Sequence, residues 1–435
     1  MTVTLLQSPS LCDRQLPTRE YQANGLTIVA EQVPVEAVNL SVWLNVGSAV
    51  EADAINGMAH FLEHMVFKGT TDLPHGEFEH RIEQRGAITN AMTSQDYTHY
   101  YITTAPQDFA ALAPLQFEVL LNASIPDDAF DRERQVVLEE TRRSEDNPRR
   151  RTFQQVMQTT FEQLPYRRPV LGTVDVLQQL TPQEMRDFHS TWYRPSIMTV
   201  AAVGNLPVED LISTVAASFD RLDQGQSPAA LPQRPLSPEY FSPEAPFTTV
   251  VRREQVDPSL HQARLVMSWR VPGLCQLEQT FALDVLATLL GQGKTSRLVQ
   301  DLREDKQLVS QILASNLTYG LQGVFYVAAQ LPLANLNAVE LAIAQHLERL
   351  RNDLVAVADL ARVCTQVANR FVFSNETPSD RANLYGYYQS LVGDLAPALN
   401  YPAQVQALDV ASLQVAAQQY LTPDAYGLVI LRPPD

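Results

Sequence analysis

The chain has 435 residues and 45% hydrophobic content, enough for two or three domains with buried cores. Its formal net charge is −17, so no basic face is expected and nucleic-acid binding is argued against. No apolar stretch reaches the roughly 18 residues that would span a bilayer, which argues against a membrane role.

In chain order, the N-terminal stretch MTVTLLQSPSLCDRQL lacks a basic segment followed by an apolar run, so no signal peptide is read. The three cysteines, Cys12, Cys275 and Cys364, lie far apart without a CxxC pair. They read as inert thiols in a reducing compartment, and the expected location is cytoplasmic. Alternating strands are expected at 25–33 and 38–47, helices near 56–68 and 75–85, and strands at 87–93 and 97–104. Several helices follow, and then a strand at 197–203. Residues 223–246, DQGQSPAALPQRPLSPEYFSPEAP, hold six prolines and read as an extended linker. This divides the chain into an N-terminal lobe, 1–222, the linker, 223–246, and a C-terminal lobe, 247–435.

The second lobe repeats the order of the first. Strands are expected near 247–253 and 261–270, helices at 277–290 and 295–305, strands at 308–316 and 323–330, and a last strand at 426–431. Tyr193 and Tyr420 fall at matching places. The reading is an α+β fold of two duplicated lobes, each a mostly antiparallel sheet packed with helices. GQGKT (291–295) is not a phosphate loop, because Thr288 stands where the pattern needs glycine; a helix-to-helix turn is expected.

The chemistry concentrates in HFLEHMVFKGT (60–70). Positions four apart share a helix face, so His60 and His64 can present two imidazoles to one ion. Glu63 lies beside them, near enough to serve as a base. Zinc hydrolysis needs three protein ligands, an open position for water and a carboxylate that moves a proton. The third ligand is sought in DDAFDRERQVVLEETRRSEDN (127–147), where Asp127 and Asp128 can cap a helix that Asn147-Pro148 ends. Glu133 and Glu140, seven apart, face one way, with Val136 and Val137 expected on the buried side near them. Glu139 shares its side with charged residues and reads as solvated. Periodicity alone leaves Glu139 and Glu140 open as the third ligand. At the matching places of the second lobe stand Val285, Thr288 and Leu289, so only the first lobe keeps a metal-type constellation.

The sequence closely resembles the pitrilysin family (M16) of inverted-zincin peptidases, in its short two-lobed, processing-peptidase-like form. The likeness rests on GSAVEADAINGMAHFLEHMVFKGT (47–70), GAITNAMTSQDYTHYY (86–101), ERQVVLEETRRSEDNP (133–148), PYRRPVLGT (165–173) and GKTSRLVQDLRE (293–304). It implies that His60, His64 and Glu140 bind Zn2+, that Glu63 is the catalytic base, and that Glu133 stands behind the ligands. It implies an edge strand, 87–93, that adds an extended peptide by backbone pairing, with Asn90 and Ala91 beside the scissile bond. It also implies that this chain is half of a four-lobed clamshell.

One departure matters. The family places a tyrosine seven residues after a substrate-holding arginine in a C-terminal lobe. Here the arginine matches Arg303, but Ser310 stands at the tyrosine position. The expected partner is therefore a homologous subunit carrying the Arg/Tyr pair, in a heterodimer acting on extended peptides or presequences. A weakly active homodimer and a non-catalytic assembly subunit of the same fold are the alternatives.

Overall fold

Residues 38–44, VNLSVWL, bury every side chain, and so do residues 198–204, MTVAAVG. A strand buried on both faces must be central and covered twice. The computed structural model, which describes residues 16–222 and 241–434, shows how this is done. The first sheet contains β1 (Thr18–Tyr21), β2 (Thr27–Gln32), β3 (Val38–Leu44), β4 (Ile88–Thr93), β5 (Thr98–Thr104) and β6 (Met198–Gly204), in the order β1-β2-β6-β3-β5-β4. The second contains β7 (Val251–Val256), β8 (Ala263–Pro272), β9 (Gln311–Leu317), β10 (Gln322–Leu331) and β11 (Gly427–Arg432), in the order β7-β11-β8-β10-β9.

The two orders superpose strand for strand once β1 is set aside. In each sheet one pair is parallel, β2 with β6 and β7 with β11, and the remaining pairs are antiparallel. The duplication read from the sequence is thus present in the topology. β1 escapes the sequence reading because TREY is exposed at every position and carries no apolar alternation.

Helices α1 (Met58–Met65), α2 (Glu77–Gln84), α3 (Phe109–Leu121), α4 (Asp127–Asp146), α5 (Pro148–Thr160), α6 (Val174–Gln179), α7 (Pro182–Trp192) and α8 (Val208–Leu222) belong to the first half. The second half has α9 (Phe281–Gly291), α10 (Leu336–Asn352), α11 (Val357–Phe373), α12 (Pro378–Leu391), α13 (Ala396–Gln406) and α14 (Val410–Tyr420). Local signals start several of them. Thr181 with Glu184 and Thr377 with Asp380 form capping boxes, each followed by proline at the first helical position. Asn147 ends α4 and accepts from the Arg149 and Arg150 N–H groups to start α5. The expected helix at 277–290 begins instead at Phe281, after a 3₁₀ stretch broken at Gln276. The expected helix at 295–305 is π-wound over Val299–Asp305. GQGKT is a turn, with Gly293 at φ +89°.

Each sheet packs one face on helices of its own half, forming two large cores. The other face is covered by a helix from the opposite half. α12 lies across β3 and β6, and Ala382 and Tyr385 meet Val29, Val33, Ala201 and Val203. Glu31 fixes this docking by accepting from Arg381 at 2.5 Å and from Tyr385 at 2.8 Å. Reciprocally, α5 lies across β8 and β11, with Val156 against Leu260, Val266, Val429 and Leu431. Residues 223–240 of the expected linker lie outside the described residues; 241–246 are described and irregular.

Candidate metal centre

α1 is anchored before it is functional. Met58, Ala59, Phe61, Leu62 and Met65 are buried, and Phe61 stacks on Phe130 of α4 with ring centroids 4.5 Å apart. Its N-cap, Gly57, sits at φ +99° and has no side chain to accept from the first N–H groups. The carboxylate of Glu51 does this instead. It accepts from Gly57 N at 2.9 Å, Ala59 N at 2.7 Å and the Asn56 amide at 2.9 Å. Burial pushes the Glu51 carboxyl up to about 7, against the pull of these donors and of Arg168. PYRRPVLGT braces the same turn. Arg167 and Arg168 hold Asp53, Pro169 O accepts from Asn56, and Gly172 packs so closely on Gly57 that a Cβ there would meet Asn56 O at 2.4 Å.

This frame brings together His60, His64 and Glu140. Their ligating atoms lie within 4.8 Å of one another. Glu140 Oε2 is 3.5 Å from His60 Nε2 and 3.6 Å from His64 Nε2. Two imidazole nitrogens and one carboxylate oxygen are a donor set that suits zinc. Ligand distances of about 2.0–2.1 Å in a tetrahedron place donors roughly 3.3 Å apart, close to the two distances from Glu140 to the histidines. Among the described residues no other group of three such side chains converges in this way.

The surroundings prepare the donors. His64 Nδ1 is 3.0 Å from Glu133 Oε1, whose other oxygen accepts from Lys68 Nζ at 2.7 Å. A proton on Nδ1 directs the Nε2 lone pair toward Glu140 and His60. Burial lowers the His64 pKa, but Glu140 and Glu133 outweigh it and the net shift is upward. Burial, with repulsion from His64, takes His60 down to about 4, so its ring is neutral near pH 7. His60 Nδ1 is buried without a hydrogen-bond partner among the described residues. Hydrogen bonding from His64 is the leading cause that holds Glu140 below the usual carboxylate range.

Glu63 stands beside this group, on the wall of a cavity of about 890 Å³ that residues of both halves line. It accepts from the Thr93 hydroxyl of β4, and burial raises its pKa. β4 ends the sheet, paired only with β5, so its outer edge is free of a neighbour among the described residues. Ala91, Met92 and Thr93 line the cavity. Asn90 is exposed, and its side chain accepts from Ala91 N at 2.9 Å.

Other expected positions fall elsewhere. Arg303 does not line this cavity; its guanidinium is held by Glu304 at 2.6 Å and 2.8 Å. Ser310 donates to Gln262 at 2.8 Å. Val136 is 51% exposed, whereas Val137 is buried, because the stripe that packs runs through Phe130, Val137 and Thr141. Glu139 faces outward and pairs with Arg143. Asp127 and Asp128 lie in the first turn of α4 and do not cap it; the N-cap is Pro126. Glu51 was not singled out from the sequence. The signal available was a helix start at Asn56-Gly57 with no capping side chain, which demands an acceptor from elsewhere.

Comparison with known proteins finds relatives in both sequence and structure. Residues 27–174 match the family model described as insulinase (peptidase family M16), and residues 179–367 match the M16 inactive domain. The zinc protease PqqE of Helicobacter pylori is 29% identical over 419 residues, covering 94% of this chain and 91% of that protein. The zinc protease YmxG of Bacillus subtilis is 26% identical over 412 residues, covering 94% of this chain and 97% of that one. The crystal structure of a protease from Helicobacter pylori superposes with a TM-score of 0.88 at 28% identity, over 96% of this chain and all of the other. An M16 inactive domain from Pseudomonas fluorescens shares the fold, with a TM-score of 0.80 at 18% identity over 96% of this chain and 98% of the other. No helix among the described residues is long and apolar enough to cross a membrane.

Proposed function

Because the chain belongs to the M16 peptidase family, we propose that it is the zinc-bearing subunit of an endopeptidase that cleaves extended peptides in an enclosed chamber. The observation that carries this reading is the convergence of His60, His64 and Glu140 beside Glu63, on a wall that includes the open edge strand β4. His60, His64 and Glu140 would hold the ion. A bound zinc ion supplies Lewis acidity, polarising a carbonyl oxygen and making water a stronger nucleophile near neutral pH.

The chain's own residues do the rest. β4 offers unpaired backbone donors and acceptors to a peptide in extended form, with Asn90 and Ala91 next to the bond to be cut. Glu63 takes a proton from the attacking water and delivers it to the leaving amine. Its raised pKa brings it nearer the working pH, and the Thr93 hydroxyl ties it to the strand that receives the peptide. Glu133 holds the His64 ring in the tautomer that leaves Nε2 free. The reading keeps the chain in the cytoplasm, on its dispersed cysteines.

Transition-state donors are worth a few kcal/mol, roughly 3. With Ser310 in place of a tyrosine and Arg303 tied to Glu304, we assign the missing donor to a homologous partner chain with an Arg/Tyr pair and no HxxEH. The purified chain should bind one zinc ion and cleave an unstructured peptide slowly, and the partner should restore turnover. Glu63→Gln should keep zinc and abolish cleavage, whereas Glu140→Gln should lose zinc. Fast turnover by the lone chain would reject the partner, and undiminished cleavage by Glu63→Gln would reject the peptidase.

A further inference from the structure

The chamber wall beside the metal centre carries a charge opposite to that of the whole molecule. Arg149, Arg150 and Arg151 open α5, Arg264 projects from β8, and all four line the cavity that holds His60, Glu63 and Glu140. Arg151 is neutralised by Asp257. No ion pair engages Arg149, Arg150 or Arg264 among the described residues. Arg264 is half-buried, and its Nε is buried without a hydrogen-bond partner. Burial, with repulsion from Arg149, lowers its pKa, against a partial pull from Asp257, which is itself paired with Arg151. Arg150 is near enough to Glu140 to help His64 hold that carboxyl down. The carboxylates on the wall are Glu63, Glu140 and Glu145, and the first two belong to the metal centre. With the metal centre's two set aside, Glu145 is the remaining carboxylate on a wall with three guanidinium groups that have no ion pair, on a chain whose net charge is −17.

A guanidinium is a planar fork of donors that fits a carboxylate better than any other common peptide group. Arg149 and Arg150 are exposed and solvated, but leaving the half-buried Arg264 without an ion pair beside apolar chamber walls is costly, and an entering anion offsets that cost. Resting on the peptidase reading, we propose that Arg149, Arg150 and Arg264 select peptides that carry a carboxylate near the scissile bond. The carboxylate belongs to an Asp or Glu side chain or to the C-terminus of a short peptide. This sets the chamber against basic presequence-like peptides, the opposite of what the net charge suggests.

The test measures binding to zinc-loaded Glu63→Gln, so turnover and the partner do not enter. The probes are fluorescein-labelled ten-residue peptides, identical except for two central Glu or two central Gln, each with a free or an amidated C-terminus. Fluorescence anisotropy should show the Glu peptide binding about fivefold tighter than the Gln peptide. Adding Arg149→Gln and Arg150→Gln, both at exposed positions, should bring the two within about twofold. A preference that follows the free C-terminus instead supports the same wall and assigns its ligand to the terminal carboxylate. Equal binding of all four peptides, or a preference that survives the double substitution, overturns the proposal. Loss of this preference while the wild-type chain with its partner still cleaves rejects the selectivity alone. Selective binding with no cleavage in any pairing rejects the peptidase reading and leaves the selectivity standing.

Discussion

Replacing Glu133 by Gln probes how the metal ligands are held. The Glu133 carboxylate bridges His64 Nδ1 at 3.0 Å and Lys68 Nζ at 2.7 Å, one oxygen to each. Glutamine keeps the shape but has a single acceptor oxygen. Whichever donor it serves, its NH₂ group is turned toward the other. A hydrogen bond to a charged group contributes about 1.5–3 kcal/mol net. Losing it, or the tautomer it fixes, therefore weakens zinc binding by about 10- to 100-fold, the range seen when such supporting partners are removed. Competition against a chromogenic chelator near neutral pH measures this directly. Stability without metal should fall by about 1–3 kcal/mol, because the substitution strands a donor of His64 or of Lys68 among largely buried groups. Lys68→Met is the comparator: it leaves the Glu133–His64 bond in place and should weaken zinc by less than about threefold. An unchanged zinc affinity in Glu133→Gln would refute the argument that Glu133 fixes the His64 ring.

Two further substitutions test the frame around the site. Glu51→Ala strips the acceptor from Gly57 N–H, Ala59 N–H and the Asn56 amide, in a position only 4% exposed. Each unsatisfied donor costs about 1–3 kcal/mol, so urea unfolding should show a loss of at least about 3 kcal/mol, and an unaltered midpoint would count against the cap. Asp96 joins the halves, accepting from Tyr166 OH and from Gly320 N, both at 2.9 Å, and burial raises its pKa from 3.8 to about 6. Folding thus favours the neutral carboxyl. That contribution is whole below about pH 4 and is lost as pH rises through about 6, by about 3 kcal/mol in all. Asp96→Asn should remove this slope; a pH–stability curve parallel to wild type would show that Asp96 is not its source.

The parts of the site that could be read from the sequence are those set by helical spacing. His60, Glu63 and His64 lie within one turn, and Glu133 and Glu140 lie two turns apart, so the 3.6-residue period places them without tertiary information. The period did not choose between Glu139 and Glu140. That choice depends on which side of α4 meets α1, and Phe61 on Phe130 decides it. Val136 fails for the same reason: the packed stripe is narrower than a wheel suggests, and the residue next to a buried one is half open. Glu51 escaped because capping was sought in the residue before the helix, whereas the acceptor comes from several residues upstream and across a turn. The order of elements along the chain was legible as a repeat, since both halves alternate in the same way; the order of strands within each sheet was not. The exchange of α5 and α12 was not, because amphipathic patterning says that a helix needs an apolar partner and not which one. The basic wall was hidden by the net charge, a sum that carries no information about position.

The exchange of α5 and α12 has a consequence for synthesis. The first sheet has all its strands once β6 leaves the ribosome, yet Val29, Val33, Ala201 and Val203 still lack the helix that covers them. α12, which starts at Pro378, emerges about 170 residues after β6 ends at Gly204, roughly ten to thirty seconds at ordinary elongation rates. Throughout that interval the nascent chain presents an apolar sheet face to solvent. The N-terminal half therefore cannot bury this face until the C-terminal half has been translated.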